Sequence, residues 1–116
     1  MSIERFEDVV AWQKAKEQSL QVYKSFESTK DYGFRDQVQR ASVSVMNNIA
    51  EGFERQTNKE FRQFLFIAKG SCAEVRSMLY LAADLELIDE HKYQKIFQLN
   101  IQTSRILAGL IKSIKT

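Results

Sequence analysis

Side chains suited to catalysis are scarce in this chain of 116 residues, which has one histidine, His91, and one cysteine, Cys72. His91 stands in a polar stretch without the histidine or carboxylate partners that metal sites require. Cys72 falls on an apolar helical stripe, where a thiol behaves as packing. No phosphate-binding loop or nucleophile motif occurs in the sequence. We therefore expect no catalytic residue, no metal site and no cofactor, and we do not expect an enzyme.

Basic side chains follow two lines whose spacing suits phosphates. Arg62, Lys69 and Arg76 recur every seven residues, so they project along one line of a helix. Residues 91–116 contain basic residues and no acidic one. The resulting candidates for nucleic-acid contact are Lys95, Arg105, Lys112, Arg62, Lys69 and Arg76. Two alternatives stay open: pairing with acids on a neighbouring helix, and, for the late lysines, interaction with the C-terminal end of a helix dipole.

A line of polar residues, here called the polar ladder, repeats every three or four positions: Gln37, Arg40, Ser44, Asn48, Glu51 and Arg55. The ladder is predicted to edge a buried stripe, where charged groups are costly unless paired. It could form a binding groove or an internal hydrogen-bond network, and we assign it to structure. On that interpretation Glu51→Ala should cost about 1–3 kcal/mol of stability.

Apolar residues recur every three or four positions on both sides of a hinge at residues 49–57, which is the spacing of helices. The first helix should use Val9, Trp12, Ala15, Leu20, Tyr23 and Phe26 as its apolar positions. The first predicted helix spans Asp8 to Glu27, with Asp8 as its N-cap, and the second spans Phe34 to Glu54. The third begins at a capping box formed by Thr57 and Glu60 and continues to Glu86. The fourth spans Asp89 to Ile114, with Asp89 as its N-cap. Short connections between four amphipathic helices predict an all-α, up-down-up-down bundle in one domain, residues 1–116.

Composition supports a helical chain in a reducing compartment. There is no proline, only four glycines, and 44% of the residues are hydrophobic. No apolar run approaches the roughly 20 residues that cross a bilayer. The start of the chain, Met1 to Arg5, lacks the features of a signal peptide. A single cysteine cannot form an internal disulfide, so we expect a cytoplasmic protein without a membrane partner.

The third predicted helix carries a second apolar face, made by Phe66, Ile67, Gly70 and Leu81. A monomer would expose this face to water. Gly70 costs about 1 kcal/mol relative to alanine inside a helix, which close approach of another backbone would offset. We predict that these four residues lie at a subunit interface.

Two segments resemble a known family in combination: residues 37–52, which end in Asn48-Ile49-Ala50-Glu51-Gly52, and residues 61–71, which end in Ala68-Lys69-Gly70-Ser71. Together they resemble the bacterial four-helix-bundle proteins called 23S rRNA intervening-sequence proteins. The likeness extends from Phe6 to the last helix. Residues 72–75 depart from the more aliphatic segment typical of that family, which does not point to any chemistry.

The resemblance implies a ring-shaped homopentamer and a connection to nucleic acid. Members are encoded within ribosomal RNA insertions, and related accessory proteins of diversity-generating retroelements bind a reverse transcriptase and nucleic acid. The family supplies no catalytic residue. Two hypotheses follow. One is a non-catalytic homo-oligomer that associates with RNA or DNA, alone or as an adaptor for a polymerase or ribosomal RNA. The other is a structural module that binds only protein.

Overall fold

The computed structural model describes residues 3–116; Met1 and Ser2, which the predicted domain includes, lie outside the described residues. A short 3-10 turn at Phe6–Asp8 precedes four helices. The helices are α1 (Val10–Phe26), α2 (Tyr32–Phe53), α3 (Asn58–Asp84) and α4 (Glu90–Ser113). No strand occurs among the described residues, so the all-α prediction is confirmed.

The four helices form an elongated bundle. At 1.5 Å per residue, the 27 residues of α3 span about 40 Å, close to the 43 Å long axis of the molecule. Each helix packs on its neighbours in chain order, and α1 packs on α4 to close the square. Connections of only four or five residues reverse the chain between consecutive helices. This is the predicted up-down-up-down arrangement.

Three helices begin with a side-chain cap. Asp31, Thr57 and Asp89 each accept a hydrogen bond from the backbone amide three residues later, at 3.1, 3.1 and 2.9 Å. These bonds satisfy amides that have no partner within the helix. Thr57 and Asp89 confirm the predicted caps. Asp31 is not among the predicted caps, and its bond explains why α2 begins at Tyr32, two residues before the predicted Phe34.

The start of α1 differs from the prediction. Asp8 is not an N-cap: it ends the 3-10 turn and lies 3.6 Å from Arg5. The cap position belongs to Val9, which makes no side-chain capping bond. The Phe6 and Trp12 rings pack edge to face, with centroids 5.2 Å apart, and hold the turn against the helix. Aromatic packing therefore replaces capping here.

The buried face of α1 also differs from the expected one. Leu20 and Tyr23 were predicted to face the core, but their exposed fractions are 50% and 45%. The buried positions are instead Ala11, Ala15, Gln18, Ser19, Val22 and Phe26. That series follows the helical repeat through two polar residues, which a search for apolar residues alone passes over.

A polar layer divides the bundle core into two apolar clusters. The Asn100 side-chain amide donates to Gln18 Oε1 and to the Cys72 carbonyl, both at 2.8 Å. The Cys72 thiol lies 3.5 Å from the Asn100 carbonyl oxygen. All three side chains are fully buried. The layer thus links α1, α3 and α4 at mid-bundle, where its bonds can form in only one register of the helices.

Gly52 sets the close approach of α2 and α3 beside their connection. A Cβ at this position would lie 2.5 Å from Phe64 Cβ and 3.3 Å from the Phe61 carbonyl oxygen. Any side chain would therefore separate the helices. The Phe53 and Phe61 rings meet edge to face nearby, with centroids 5.8 Å apart.

Candidate nucleic-acid interface

Packing of α3 against α4 brings members of the two predicted basic lines together in one shallow cavity. This cavity, here called the α3/α4 groove, has a volume of about 320 Å³. It is lined by Arg62, Phe66, Lys69, Ala108, Ile111 and Lys112. Arg62 and Lys69 come from α3 and Lys112 from α4, so cations from separate parts of the chain meet here.

A second cavity, of about 390 Å³, shares Arg62 and Phe66 with the α3/α4 groove. Its other lining residues are Lys59, Gln63 and Thr116. The Asn58 side-chain amide donates to the Lys115 carbonyl at 3.0 Å and fixes the segment after α4 against the start of α3. The surface continuous with the groove therefore gains Lys59 as a further cation.

Charge in the α3/α4 groove is of one sign. Its lining has three cations and, within the described part of the chain, no carboxylate side chain. The salt bridges formed by residues 3–116 do not include Arg62, Lys69 or Lys112. Pairing with acids on a neighbouring helix is therefore not what this chain does with these cations. Clustered positive charge is available to an anionic ligand.

Lys95 and Arg105 lie elsewhere, in a separate groove of about 530 Å³ between α1 and α4. Its lining includes the Glu17 carboxylate as well as Leu99 and Ile106. The acid weakens the local positive potential, so this groove is a poorer match for phosphate than the first. The structure thus splits the basic candidates of α4 between two surfaces.

Arg76 lines neither groove, but its charge reaches the core. Burial raises the pKa of the Cys72 thiol to about 11, and the positive charges of Arg76 and Lys69 oppose that rise. Arg76 therefore extends the basic side of α3 beyond the groove. The thiol stays protonated at neutral pH, consistent with a packing role for Cys72.

The polar ladder is partly a network and partly the wall of a groove. Asn48 donates to the Ser44 hydroxyl at 3.0 Å, and that hydroxyl lies 2.9 Å from the Ser71 hydroxyl on α3. Arg55 donates to the Glu51 carboxylate at 2.6 Å. Arg40, Ser44, Asn48 and Glu51 also line a groove of about 420 Å³ with Tyr23. The ladder residues therefore form an internal network in part and also line a groove at the surface.

Burial along the ladder is lower than expected. The side chains of Arg55 and Glu51 are 43% and 55% exposed, so their ion pair lies at the surface rather than at the edge of the core. The Arg55 guanidinium also lies 4.9 Å from the centre of the Phe64 ring on α3. Arg55 thus connects the end of α2 to α3, and its energetic weight is that of an exposed pair.

The four residues of the second apolar face are all exposed in the single chain. Phe66, Ile67 and Leu81 have exposed fractions of 51%, 53% and 49%, and a Cβ at Gly70 would meet nothing within 4 Å. Phe66 lies in the α3/α4 groove, whereas Ile67, Gly70 and Leu81 line none of the grooves described above. Phe66 therefore lies on the basic surface, and an interface separate from that surface keeps Ile67, Gly70 and Leu81 of the four predicted residues.

Comparison with known families gives a match over residues 7–109 to the model described as the 23S rRNA-intervening sequence protein. That span covers nearly all four helices. The chain belongs to this family. No curated protein matches the chain. The family name refers to intervening sequences of 23S ribosomal RNA, which suggests an rRNA-related role for its members.

A solved structure shares the fold of this chain. It is a protein of unknown function from the S23 ribosomal protein family of Bacteroides thetaiotaomicron, with a TM-score of 0.83 and 22% sequence identity. The superposition covers 90% of this chain and 96% of that one. The two proteins thus share a fold at low sequence identity.

In this chain, residues 48–52, which carry part of the family resemblance, make contacts that stabilise the fold. Asn48 holds the Ser44–Ser71 contact, Glu51 pairs with Arg55, and Gly52 admits Phe61 and Phe64. None of these contacts requires an external ligand. Within residues 3–116 no cluster of potential metal ligands is found, and none of the described helices is both long and apolar enough to span a membrane.

Sequence reasoning missed the polar layer and Lys59. Asn100 and Thr103 fill the buried positions between Leu99 and Leu107, so helical periodicity alone could have placed them. Helical spacing also places Lys59: it lies three residues before Arg62 and seven before Phe66, so it shares their side of α3.

Proposed function

We propose that this protein is a non-catalytic, homo-oligomeric, nucleic-acid-associated protein that holds the phosphate backbone of RNA or DNA at the α3/α4 groove. One observation carries the proposal: Arg62, Lys69 and Lys112, from two helices, line one groove whose described lining has no carboxylate side chain. Contact with phosphate by such cations releases condensed counterions, which is the main source of sequence-independent affinity.

Family membership supports a ribosomal RNA setting. The family is named for intervening sequences of 23S rRNA. A small helical protein with a basic groove is suited to hold such RNA, or to act as an adaptor between nucleic acid and a polymerase. In either role the protein supplies positioning, and any chemistry belongs to its partner.

Self-association belongs to the same proposal. Ile67 and Leu81 are each about half exposed on α3, away from the basic groove. A second copy of the chain would cover them, and a closed ring of five subunits would place several basic grooves on one particle. Multivalent contact would then raise the affinity for a long strand well above that of a single groove.

The alternative is a structural module that binds only protein. It is favoured by the exposed apolar side chains at the end of α3 and just after it, where Tyr80 at 53% and Leu85 at 55% flank Leu81 at 49%. Aromatic and aliphatic residues of this kind are typical centres of protein interfaces. The two functions differ in their dependence on the groove cations.

Binding to structured RNA and duplex DNA, measured by filter binding at low salt, tests the proposal. The variant R62Q/K69Q/K112Q should bind at least about tenfold more weakly than wild type, because it loses three phosphate contacts. The matched control K95Q/R105Q removes two cations from the other groove and should stay within about threefold of wild type. If the wild-type protein binds neither nucleic acid, the proposed function is wrong and the alternative, a module that binds only protein, remains.

A further inference from the structure

We infer that the α3/α4 groove takes a single-stranded polynucleotide, with one base stacked on Phe66, in preference to a duplex. This inference rests on the proposed function and adds to it the class of nucleic acid. Phosphate contact alone does not distinguish strands from duplexes. An exposed aromatic ring among the phosphate-binding cations does, because it offers a surface to a base that has left its stack.

Phe66 is placed between two of the groove cations. Arg62 is four residues before it and Lys69 three residues after it, so the three side chains are neighbours on one helical face. The Arg62 guanidinium lies 5.1 Å from the centre of the Phe66 ring. The Phe66 side chain is nevertheless 51% exposed. A base could therefore stack at the ring while Arg62 and Lys69 contact the flanking phosphates.

The floor of the groove suits a base and sugar better than a continuous phosphate surface. Ala108 and Ile111 of α4 line it beside Phe66, with Lys112 at the edge. Apolar atoms flanked by cations are the arrangement found where proteins bind single strands: cations follow the backbone, and apolar and aromatic groups accept the bases. In a duplex the base faces are stacked on one another, so Phe66 would contact only the sugar-phosphate edge.

Fluorescence anisotropy with labelled, unstructured 12-mers of RNA and DNA, and with duplexes of the same length, tests the inference. Wild type should bind single strands more tightly than duplexes. Phe66→Leu should weaken single-strand binding by about tenfold, which is the loss expected for one stacked base. It should leave duplex binding unchanged. Tyr80→Leu is the matched control, since Tyr80 is an equally exposed aromatic on α3, outside the groove. Its affinities should equal those of wild type.

Phe66→Trp provides a second readout that does not depend on lost affinity. Its indole fluorescence should be quenched by single strands and much less by duplexes. Three results would overturn the inference: equal affinity of wild type for strands and duplexes, an equal loss on both in Phe66→Leu, or a change in sedimentation of Phe66→Leu that assigns the ring to a subunit interface. If wild type binds strands and duplexes equally and R62Q/K69Q/K112Q binds neither, the proposed function stands without this inference. If wild type binds no nucleic acid, the proposed function and the inference are both wrong.

Discussion

Cys72 illustrates how burial determines the chemistry of a single side chain. The thiol is fully buried and faces the Asn100 carbonyl, and desolvation raises its pKa from 9.0 to about 11. A thiolate there would lose hydration without gaining a comparable partner. The residue is therefore unsuited to nucleophilic or redox chemistry at neutral pH, although Lys69 and Arg76 lie near enough to lower its pKa slightly.

The raised pKa predicts a loss of stability in alkali. Between pH 9 and 11 the unfolded chain releases the Cys72 proton while the folded chain keeps it, so the free energy of unfolding falls as pH rises. The fall from this group should approach about 2–3 kcal/mol by pH 11. Urea unfolding of wild type and Cys72→Ala at pH 8 and pH 10.5 measures it. The alanine variant should lose less stability over that interval, and an equal loss in both proteins would contradict the assignment.

Exposure of the Glu51–Arg55 pair changes the expected cost of removing it. A buried pair would have justified 1–3 kcal/mol, but side chains that are about half exposed contribute roughly 0.2–1 kcal/mol. Glu51→Ala should therefore lower the free energy of unfolding by less than about 1 kcal/mol. Nucleic-acid binding by Glu51→Gln should stay within a few-fold of wild type. Loss of binding with full thermal stability would make the ladder groove a ligand site.

At the scale of helices, the sequence predicted the bounds of all four elements to within two residues, because the apolar repeat and the Thr57 and Asp89 caps are local signals. The N-cap of α1 is the exception: Asp8 lies in the 3-10 turn, and Val9 takes the cap position without a side-chain bond. The turn is held by the Phe6–Trp12 ring contact, which the apolar repeat does not reveal.

The sequence could predict which basic residues share one side of a helix, but not which of them meet in one groove. The seven-residue spacing correctly placed Arg62 and Lys69 on one side of α3. Which cations of α4 meet them depends on the relative rotation and height of two packed helices, and the sequence does not state either. Lys112 joins the groove and Lys95 does not for this reason.

Gly52→Ala tests the close approach of α2 and α3. The added Cβ would fall 2.5 Å from Phe64 Cβ, so the helices must separate or the backbone must shift. Overpacking of this kind typically costs about 1–3 kcal/mol. Gly109→Ala is the matched control, since a Cβ there meets nothing within 4 Å and alanine favours the helix by about 1 kcal/mol. Thermal unfolding should show opposite shifts, and a stabilised Gly52→Ala would contradict the packing described.

For the whole molecule, α3 presents two kinds of surface beside one another. Its basic side carries Arg62 and Lys69 toward α4, and its apolar side carries Ile67 and Leu81. A particle that joins its subunits through the apolar side would leave the basic sides open to solvent. Assembly and nucleic-acid binding are then separable by mutation.

Gly70→Leu should break the assembly while leaving the helices intact. Its side chain would project into open space in the single chain, so folding is undisturbed, but it would obstruct a subunit packed against that face. Sedimentation should show a larger species for wild type and a monomer for the variant, with equal helical circular dichroism. Gly109→Leu should keep the wild-type state. A monomeric wild-type chain would contradict the predicted interface.

The salt dependence of binding tests the central claim, phosphate contact in the α3/α4 groove, most directly. The logarithm of the association constant of wild type for a single-stranded RNA should fall linearly with the logarithm of salt concentration, by about 0.7 per phosphate contact. In R62Q/K69Q/K112Q the slope should be shallower by about 2, the share of three contacts. An equal slope in the two proteins, or a wild-type affinity that does not respond to salt, would show that these cations do not hold phosphates.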